Sequence, residues 1–502
     1  MYRSPAVAMP TALARYPIVF AICLAALVLP LSFTGGAVAT PTIGAALHAD
    51  ADAVAMAWIT NAFMLSFGSL LMAAGTLADR YGRKRLFLAG VASFTLVSLL
   101  LAVAPSILWF DGLRAAQGVA AAAALAGGSA ALAQEFEGPA RTRVFSLLGT
   151  TFGLGLAFGP LLTGILLDEW GWRAIFLSIA LLAGSAALVA WKWLRESRDP
   201  QASQLDVPGV LYFSCTLIAF TSAIILGPRE GWTSLAVTSL LLLAMLGLLL
   251  FVRRQLQSQR PMLELRLFRL PRFLGVQLLP IGTCVCYIVF IVLLPLRLIG
   301  VEGLGATQAG LILLALTLPL LVLPLLAAWL TRWLPAGYLC GLGFLLAAAG
   351  LMALSGLPLG GALLPLLLCL TVIGVGTGLP WGLMDGLALS VVPKERAGMA
   401  AGIFNTTRVA GEGVALALAL AVLSCLIERH LPQALADWSV PARQALAQQA
   451  AMGDLKNLPP AMSGVLQRAY LHSFDTLLQG ASLVTALIGL ITLVMLRPIR
   501  AK

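Results

Sequence analysis

Charge is what this chain has least of. Asp, Glu, Lys and Arg together make up 11% of its 502 residues, against 60% hydrophobic residues. Soluble domains carry about 25% charged residues, so an ordinary soluble enzyme is excluded. Intrinsic disorder is excluded as well, since it needs low hydrophobicity and high charge. Histidine is nearly absent. The three present, His48, His430 and His472, fall outside the apolar runs, and no Ser or Cys is paired with a buried base for nucleophilic catalysis. The polar loops have no cysteine: Cys23, Cys215, Cys284, Cys286, Cys340, Cys369 and Cys425 all lie in apolar runs, which argues against bridges outside a membrane. Cys284 and Cys286 have no neighbouring His or acid, so no metal site is expected. A Gly-x-x-x-x-Gly-Lys-Ser/Thr pattern is also missing, so ATP is not the expected energy source.

What is present is a series of long apolar runs. A helix needs about 20 apolar residues to cross a bilayer. Runs of that kind cover 17–39, 53–75, 86–105, 107–134, 141–167, 172–193, 206–226, 233–253, 273–299, 306–331, 335–356, 361–392, 397–427 and 474–496. Backbone groups in lipid must be satisfied within the segment, so the expectation is an all-α membrane protein with 14 transmembrane helices. The first run is too long for a signal peptide and is read as a retained helix.

The net charge of +11 is read as the Lys/Arg excess that holds loops in the cytoplasm, not as a nucleic-acid signal. With the N-terminus inside, 23 of the 32 Lys and Arg fall on the cytoplasmic side. Seven fall outside, among them Arg297, while Arg114 and Arg408 lie within spans. This predicts a multi-pass protein of the inner (plasma) membrane with both termini cytoplasmic. Two polar stretches are long: a basic one over Arg253–Arg272 and an outer one over about 428–473. The outer one reads as a loop insertion in preference to an amphipathic helix lying on the membrane surface.

After the second span stands Gly75-Thr76-Leu77-Ala78-Asp79-Arg80-Tyr81-Gly82-Arg83-Lys84-Arg85, which resembles the signature loop of the major facilitator superfamily. Gly75 and Gly82 permit tight packing and a sharp turn, Asp79 can cap a helix or pair with a neighbouring one, and Arg80 and Arg83 belong to the anchoring basic cluster. In the fourth span Arg114-Ala115-Ala116-Gln117-Gly118 resembles the superfamily's buried-arginine motif. In the fifth, Gly153, Gly155, Gly159-Pro160 and Gly164 resemble the motif that marks drug:proton antiporters. The fourteen spans, together with Gly171-Trp172-Arg173, Phe176, Gly231-Trp232, Leu265-Arg266-Leu267-Phe268, Asn405, Thr406 and Arg408, are similar to the fourteen-span branch of those antiporters.

The resemblance implies a major facilitator fold: a six-helix bundle over 1–200, two linker helices and a basic loop over 201–272, and a second six-helix bundle over 273–502. It departs from the branch at Ser32, where an Asp is expected, and at Ala37, where an Asn is usual; an Asn-x-Pro element after Phe176 is missing. A first-span carboxylate therefore cannot carry the proton here.

A charge inside a membrane helix is costly and is a functional hypothesis by default. The acids within spans are Asp111, Asp385 and Glu412. Asp111 is one turn from Arg114 and Glu412 one turn from Arg408, so each pair can neutralise itself on one helix face; Asp385 has no partner in its own span. Arg114, Asp385, Glu412, Arg408 and Asp111 are the expected proton-coupling residues. Gly75, Asp79, Arg80, Gly82, Arg83, Gly155, Gly159, Pro160 and Gly164 are the expected gating residues. Trp58, Asn61, Phe63, Met64, Trp381 and Asn405 are candidate substrate contacts, Met being suited to varied ligands.

The function expected is export of amphipathic drugs in exchange for protons, with the proton gradient in place of a cofactor. The alternative is a dedicated exporter of one metabolite, siderophore or antibiotic; a non-transporting receptor fits less well. Expected partners are a small-molecule substrate and the lipid bilayer, with no nucleic acid. A periplasmic adaptor and an outer-membrane channel are left open.

Overall fold

The computed structural model describes residues 12–49, 52–199, 205–258, 263–357, 362–392, 397–431, 438–455 and 460–497. Of the residues used above for orientation, Arg3, Arg260, Lys394, Arg396, Lys456, Arg500 and Lys502 lie outside this set. Among the described residues, fourteen helices are long and apolar enough to span a membrane.

They are α1 (Ala12–Ala46), α2 (Ala53–Tyr81), α3 (Arg83–Ala102), α4 (Ile107–Glu135), α5 (Gly138–Trp170), α6 (Trp172–Trp193), α7 (Val207–Glu230) and α8 (Leu235–Gln257). They continue with α9 (Pro271–Val301), α10 (Ala306–Leu330), α11 (Ala336–Leu354), α12 (Leu363–Ser390), α13 (Ala397–His430) and, last, α15 (Pro460–Met495). Between the final two lies a short helix, α14 (Val440–Ala451). Local chemistry sets many ends. Asp52 Oδ1 accepts from Ala55 N at 3.3 Å and caps α2; Asp206 and Ser234 cap α7 and α8 in the same way. Gly82 separates α2 from α3 at φ +119, where its missing Cβ leaves room for the Glu196 carboxylate.

The helices form two sets. In the first, α2 and α3 pack on α4, α1 packs on α5 and α6, and α3 on α6. In the second, α11 packs on α12 and α15, and α10 on α12. The helices α7 and α8 pair with each other, and α7 also lies on α2 and α13. Lipid offers no hydrophobic drive between apolar helices, so small residues that let backbones approach carry much of the packing. Gly118 places α4 against Phe63 O and Ser66 of α2, and Gly90 places α3 against Ala123 and Ala124 of α4.

The sets meet along α5–α10 and α2–α13. Gly164 lies on Ala306, Gly310 on Pro160 and Leu161, and Gly68 on Ala410. At the end of the bundle opposite the Arg80–Arg85 turn, Asp168 Oδ2 accepts from Thr307 N at 2.8 Å and from Thr307 Oγ1 at 2.7 Å. The basic end has its own small apolar cluster. There Leu267 and Phe268 of the Leu-Arg-Leu-Phe segment meet Phe273, Val391, Val392, Ile403 and Met72.

Two expectations are corrected. The described part of the 428–473 stretch is not plain loop, since it holds a helix packed on the bundle. The helix α14 is wedged against α7 and α13, with Leu446, Ala447, Ala450 and Ala451 buried, and Gln448 Nε2 donates to Ile225 O at 3.0 Å. Arg297 is not in an outer loop: it is buried near the end of α9 and donates to Glu302 Oε1 at 2.7 Å. That part of α9, Leu296–Val301, winds with i→i+5 hydrogen bonds, as does Cys284–Ile288. Such wide turns interrupt α-helices frequently at functional sites.

Candidate functional site

The polar centre of the first set is built on Arg114, which is fully buried. Its Nε donates to Ile59 O at 2.7 Å, and its Nη1 donates to Ser32 Oγ at 2.9 Å and Gln117 Oε1 at 2.6 Å. The guanidinium lies 4.6 Å above the Phe63 ring. Gln117 Nε2 donates on to Ser98 Oγ at 2.8 Å. Gly36 makes the room, since a Cβ there would meet Nη2 at 2.8 Å. Arg114 is thus held by neutral oxygens and an aromatic face. Ser32, at the position where the branch carries an Asp, supplies one of those oxygens. The expected partner Asp111 stays within electrostatic reach of Arg114 but makes no direct ion pair with it, and Asp111 Oδ1 is buried without a hydrogen bond.

In the second set the expected pairing also changes partner. Arg408 Nη1 lies 3.7 Å from Asp385 Oδ1, not within ion-pair distance of Glu412. Residues four apart share a helix face, but α12 brings a second carboxylate alongside, and the long Arg side chain reaches it. Asp385, without a partner in its own span, therefore has one in the next helix, and its side chain remains 64% exposed. The Arg408 guanidinium also lies 5.9 Å from the Phe152 ring of α5, so it touches both helix sets. Glu412 is buried at 9% exposure. Near it is Cys284 at the first wide turn of α9, whose Sγ lies 3.8 Å from Arg408 O. One exposed acid, one bridging cation and one buried acid are therefore arranged over α12 and α13, with Cys284 of α9 beside them.

The candidate substrate contacts differ in burial and in neighbours. Phe63 is buried under Arg114, and Met64 is buried against Gly413 of α13. Asn61 is fully buried; its Nδ2 donates to Ala57 O at 2.9 Å, while Oδ1 has no partner. Trp58 and Asn405 are half-buried. Half-buried Trp381 meets the Tyr287 ring edge-on at 6.0 Å.

The signature turn is an interlocked unit. Arg83 Nε and Nη2 donate to Asp79 Oδ1 at 3.0 and 2.9 Å, and Arg83 Nη1 reaches Gln134 Oε1 at 2.7 Å. Glu196 accepts from Lys84 N at 3.2 Å and Arg85 N at 3.1 Å, where free amides at a helix start favour an anion. Arg80 is exposed beside Tyr81. Gly75 differs from the expectation of tight packing, because nothing lies within 4 Å of its Cβ position. In α5, Gly155 packs on Leu27 and Pro30 and Gly159 on Thr34, both of α1, whereas Gly164 and Pro160 face α10. The motif thus uses one helix to join the first set internally and to join it to the second.

Sequence reasoning missed Gln117 and Ser98 as partners of the Arg114 network, Glu196 and Gln134 as partners of the signature turn, and Phe152 and Tyr287 near the acids. Gln117 had a signal, an amide three residues from a buried Arg. Glu196 and Tyr287 had none, because both contacts cross long sequence separations.

The family model described as Major Facilitator Superfamily matches residues 22–416. The chain is 32% identical over 390 residues to "Multidrug resistance protein Stp" of Mycobacterium tuberculosis (strain CDC 1551 / Oshkosh), covering 76% of this chain and 72% of that protein. It is 26% identical over 491 residues to "Tetracenomycin C resistance and export protein" of Streptomyces glaucescens, covering 95% and 90%. "Cephamycin export protein CmcT" of Amycolatopsis lactamdurans is 32% identical over 377 residues, covering 73% and 76%. Among solved structures, a bacterial homolog to the human lysosomal transporter Spinster, in an inward-facing and unoccupied conformation, superposes with TM-score 0.65. It shares 15% identity and covers 98% of this chain and 100% of that one.

Proposed function

The chain belongs to the major facilitator superfamily, and from that premise we propose that it exports amphipathic compounds, cationic ones among them, in exchange for protons. The observation that carries this reading is the Asp385–Arg408–Glu412 arrangement, in a chain whose relatives are named for drug resistance and export.

The proposed bodies are residues 1–200 and 273–502, rocking about a central site, with 201–272 between them. The basic end is placed in the cytoplasm, with both termini there and the protein in the inner (plasma) membrane. Joined through Asp168–Thr307 at the other end, the bundle fits a state that takes substrate from inside. Asp385, exposed and only loosely paired with Arg408, is the first carboxylate that an entering cation meets. Glu412 lies deeper and is the second. Antiport follows if cation and proton compete for these two acids. Arg408 is free to move between them, since it stands one turn from Glu412 on α13 and faces Asp385 on α12. Arg114 holds α4 to α1 and α2 through neutral acceptors, so in the first set it acts as a fixed joint and not as half of an ion pair.

A second reading keeps the fold and narrows the cargo to one compound. Ser32 in place of a carboxylate favours it, because the first-span group that accepts from Arg114 is then a neutral hydroxyl and not an acid. Both readings are tested by dye accumulation in inverted vesicles under an imposed pH gradient. Native transport should follow the gradient, and Glu412→Gln or Asp385→Asn should stop it. Equal movement after the gradient is collapsed would refute proton antiport. Growth protection against many unrelated compounds, or against one alone, separates the two cargoes.

A further inference from the structure

A second group of titratable residues lies away from Asp385 and Glu412, at the end of the bundle where Asp168 meets Thr307. Arg297 of α9 is buried. It donates to Glu302 Oε1 at 2.7 Å, and its guanidinium lies 5.0 Å above the Phe474 ring of α15. The next residue, Asp475, is half-buried, within electrostatic reach of Arg297 and His472, and forms no ion pair. The exposed His472 ring packs edge-on against His430 of α13 at 4.4 Å, and His430 Nδ1 lies 3.1 Å from Ser473 Oγ. The Tyr470 hydroxyl is buried without a partner, and Gln467 Nε2 ties α15 to Val301 O at 3.1 Å.

The placement gives the group a route to the rest of the molecule. Arg297 sits in the wide turn Leu296–Val301, and that turn packs against α1 of the other helix set. Asp475 is within electrostatic reach of Arg297 of α9 and His472 of α15 itself; Glu302, just past the end of α9, holds Arg297, His430 of α13 packs on His472, and α14, which carries Arg443, also touches α15. The packed face of α11 brings only Tyr338 and Cys340 near its start.

We propose that Asp475 is a proton-receiving group on the outer side, and that Arg297 is the positioning residue that passes its charge state to the α9–α1 contact. This rests on the proton-coupled reading above. A proton from outer water, arriving past exposed His472, neutralises the Asp475 carboxylate. Arg297 is then left to Glu302 alone, as the structure shows it, with α9 seated on α1 and this end closed. When Asp475 gives the proton back to outer water, two carboxylates compete for one guanidinium. The wide turn is drawn towards α15, and its seat on α1 loosens. Proton loading from outside thus returns the transporter to the state open to the cytoplasm, which is the direction an exporter driven by inward protons requires.

The test uses the full-length protein in inverted vesicles, where this end faces the lumen, with ethidium as probe. The outer buffer is held at one pH while luminal pH is stepped. Over a step of about one pH unit, which changes the occupancy of a titrating carboxyl up to about tenfold, the native rate should rise severalfold. That of Asp475→Asn should stay flat with ethidium binding intact, and Asp475→Glu should restore the slope. Glu302→Gln leaves Arg297 to Asp475 and should move the profile towards a more acidic lumen. A native profile in Asp475→Asn overturns the assignment and leaves proton coupling standing. Should that variant fail to fold, an unshifted profile in Glu302→Gln overturns it instead. Native transport indifferent to luminal pH and to the gradient overturns both this inference and the reading beneath it.

Discussion

Ser32 and Arg114, 82 residues apart in sequence, share a buried hydrogen bond of 2.9 Å. The hydroxyl is one of three oxygens that accept from the guanidinium at 2.9 Å or less, and none of them is charged. A fork with several donors in fixed directions fits that arrangement and a single ammonium does not. Arg114→Lys is therefore expected to leave the protein in the membrane and to cut transport by an order of magnitude, about 1.4 kcal/mol of barrier. Ser32→Ala removes one bond to a charged donor and should lower stability by about 1.5–3 kcal/mol. Thermal melting of the detergent-purified variants, set beside vesicle transport, checks both.

Gly118 and Gly75 should separate two meanings of a motif glycine. A Cβ at Gly118 meets Ser66 Oγ and Phe63 O, whereas one at Gly75 meets nothing within 4 Å. Gly118→Ala should cost about 1–3 kcal/mol as overpacking at the α2–α4 contact. Gly75→Ala should melt with the native protein. Equal melting temperatures for both variants would contradict the close approach of α4 to α2.

Asp385 should matter to transport more than to folding. Its 3.7 Å pair with Arg408 is largely exposed on the acid's side, and such pairs contribute at most about 1 kcal/mol. Asp385→Asn should therefore melt within a few degrees of native while gradient-driven dye transport is lost. A large fall in melting temperature would make Asp385 a structural residue.

The Asp168–Thr307 contact should open and close in every cycle. Asp168→Cys combined with Thr307→Cys should form a disulfide under oxidation that halts transport, and reduction should restore it. Either single variant should be insensitive to oxidant. Transport that continues with the bridge formed would show that this end need not part.

Fourteen spans were legible because lipid demands long apolar helices, and runs such as Leu235–Phe251 satisfy the demand without reference to any neighbour. The ends of the helices were less legible. The last helix begins at Pro460, well before its apolar run, because polar residues such as Gln467 and His472 are satisfied by α9 and α13. Helix α14 is hidden in the sequence for the same reason: its Ala and Gln residues show no apolar stripe of their own, and α7 and α13 supply the face that buries them. Within the site, Arg114, Asp385, Arg408 and Glu412 could be named from the rarity of charge in the spans. Their partners could not, because one-helix spacing favours Arg408–Glu412 and only the packing of α12 on α13 makes Arg408–Asp385 the pair.

The two wide turns in α9 have a mechanical consequence. An extra residue in a helical turn behaves like a ruck in a carpet: it can travel one step along the helix while the rest stays put. Each step turns the residues it passes by roughly a quarter of a revolution, at 3.6 residues per turn, and exchanges one hydrogen bond for another without unwinding the helix. Cys284, Tyr287 and Arg297 lie on such rucks. The helix that borders both groups of acids can thus re-aim single side chains at either end without rotating as a whole.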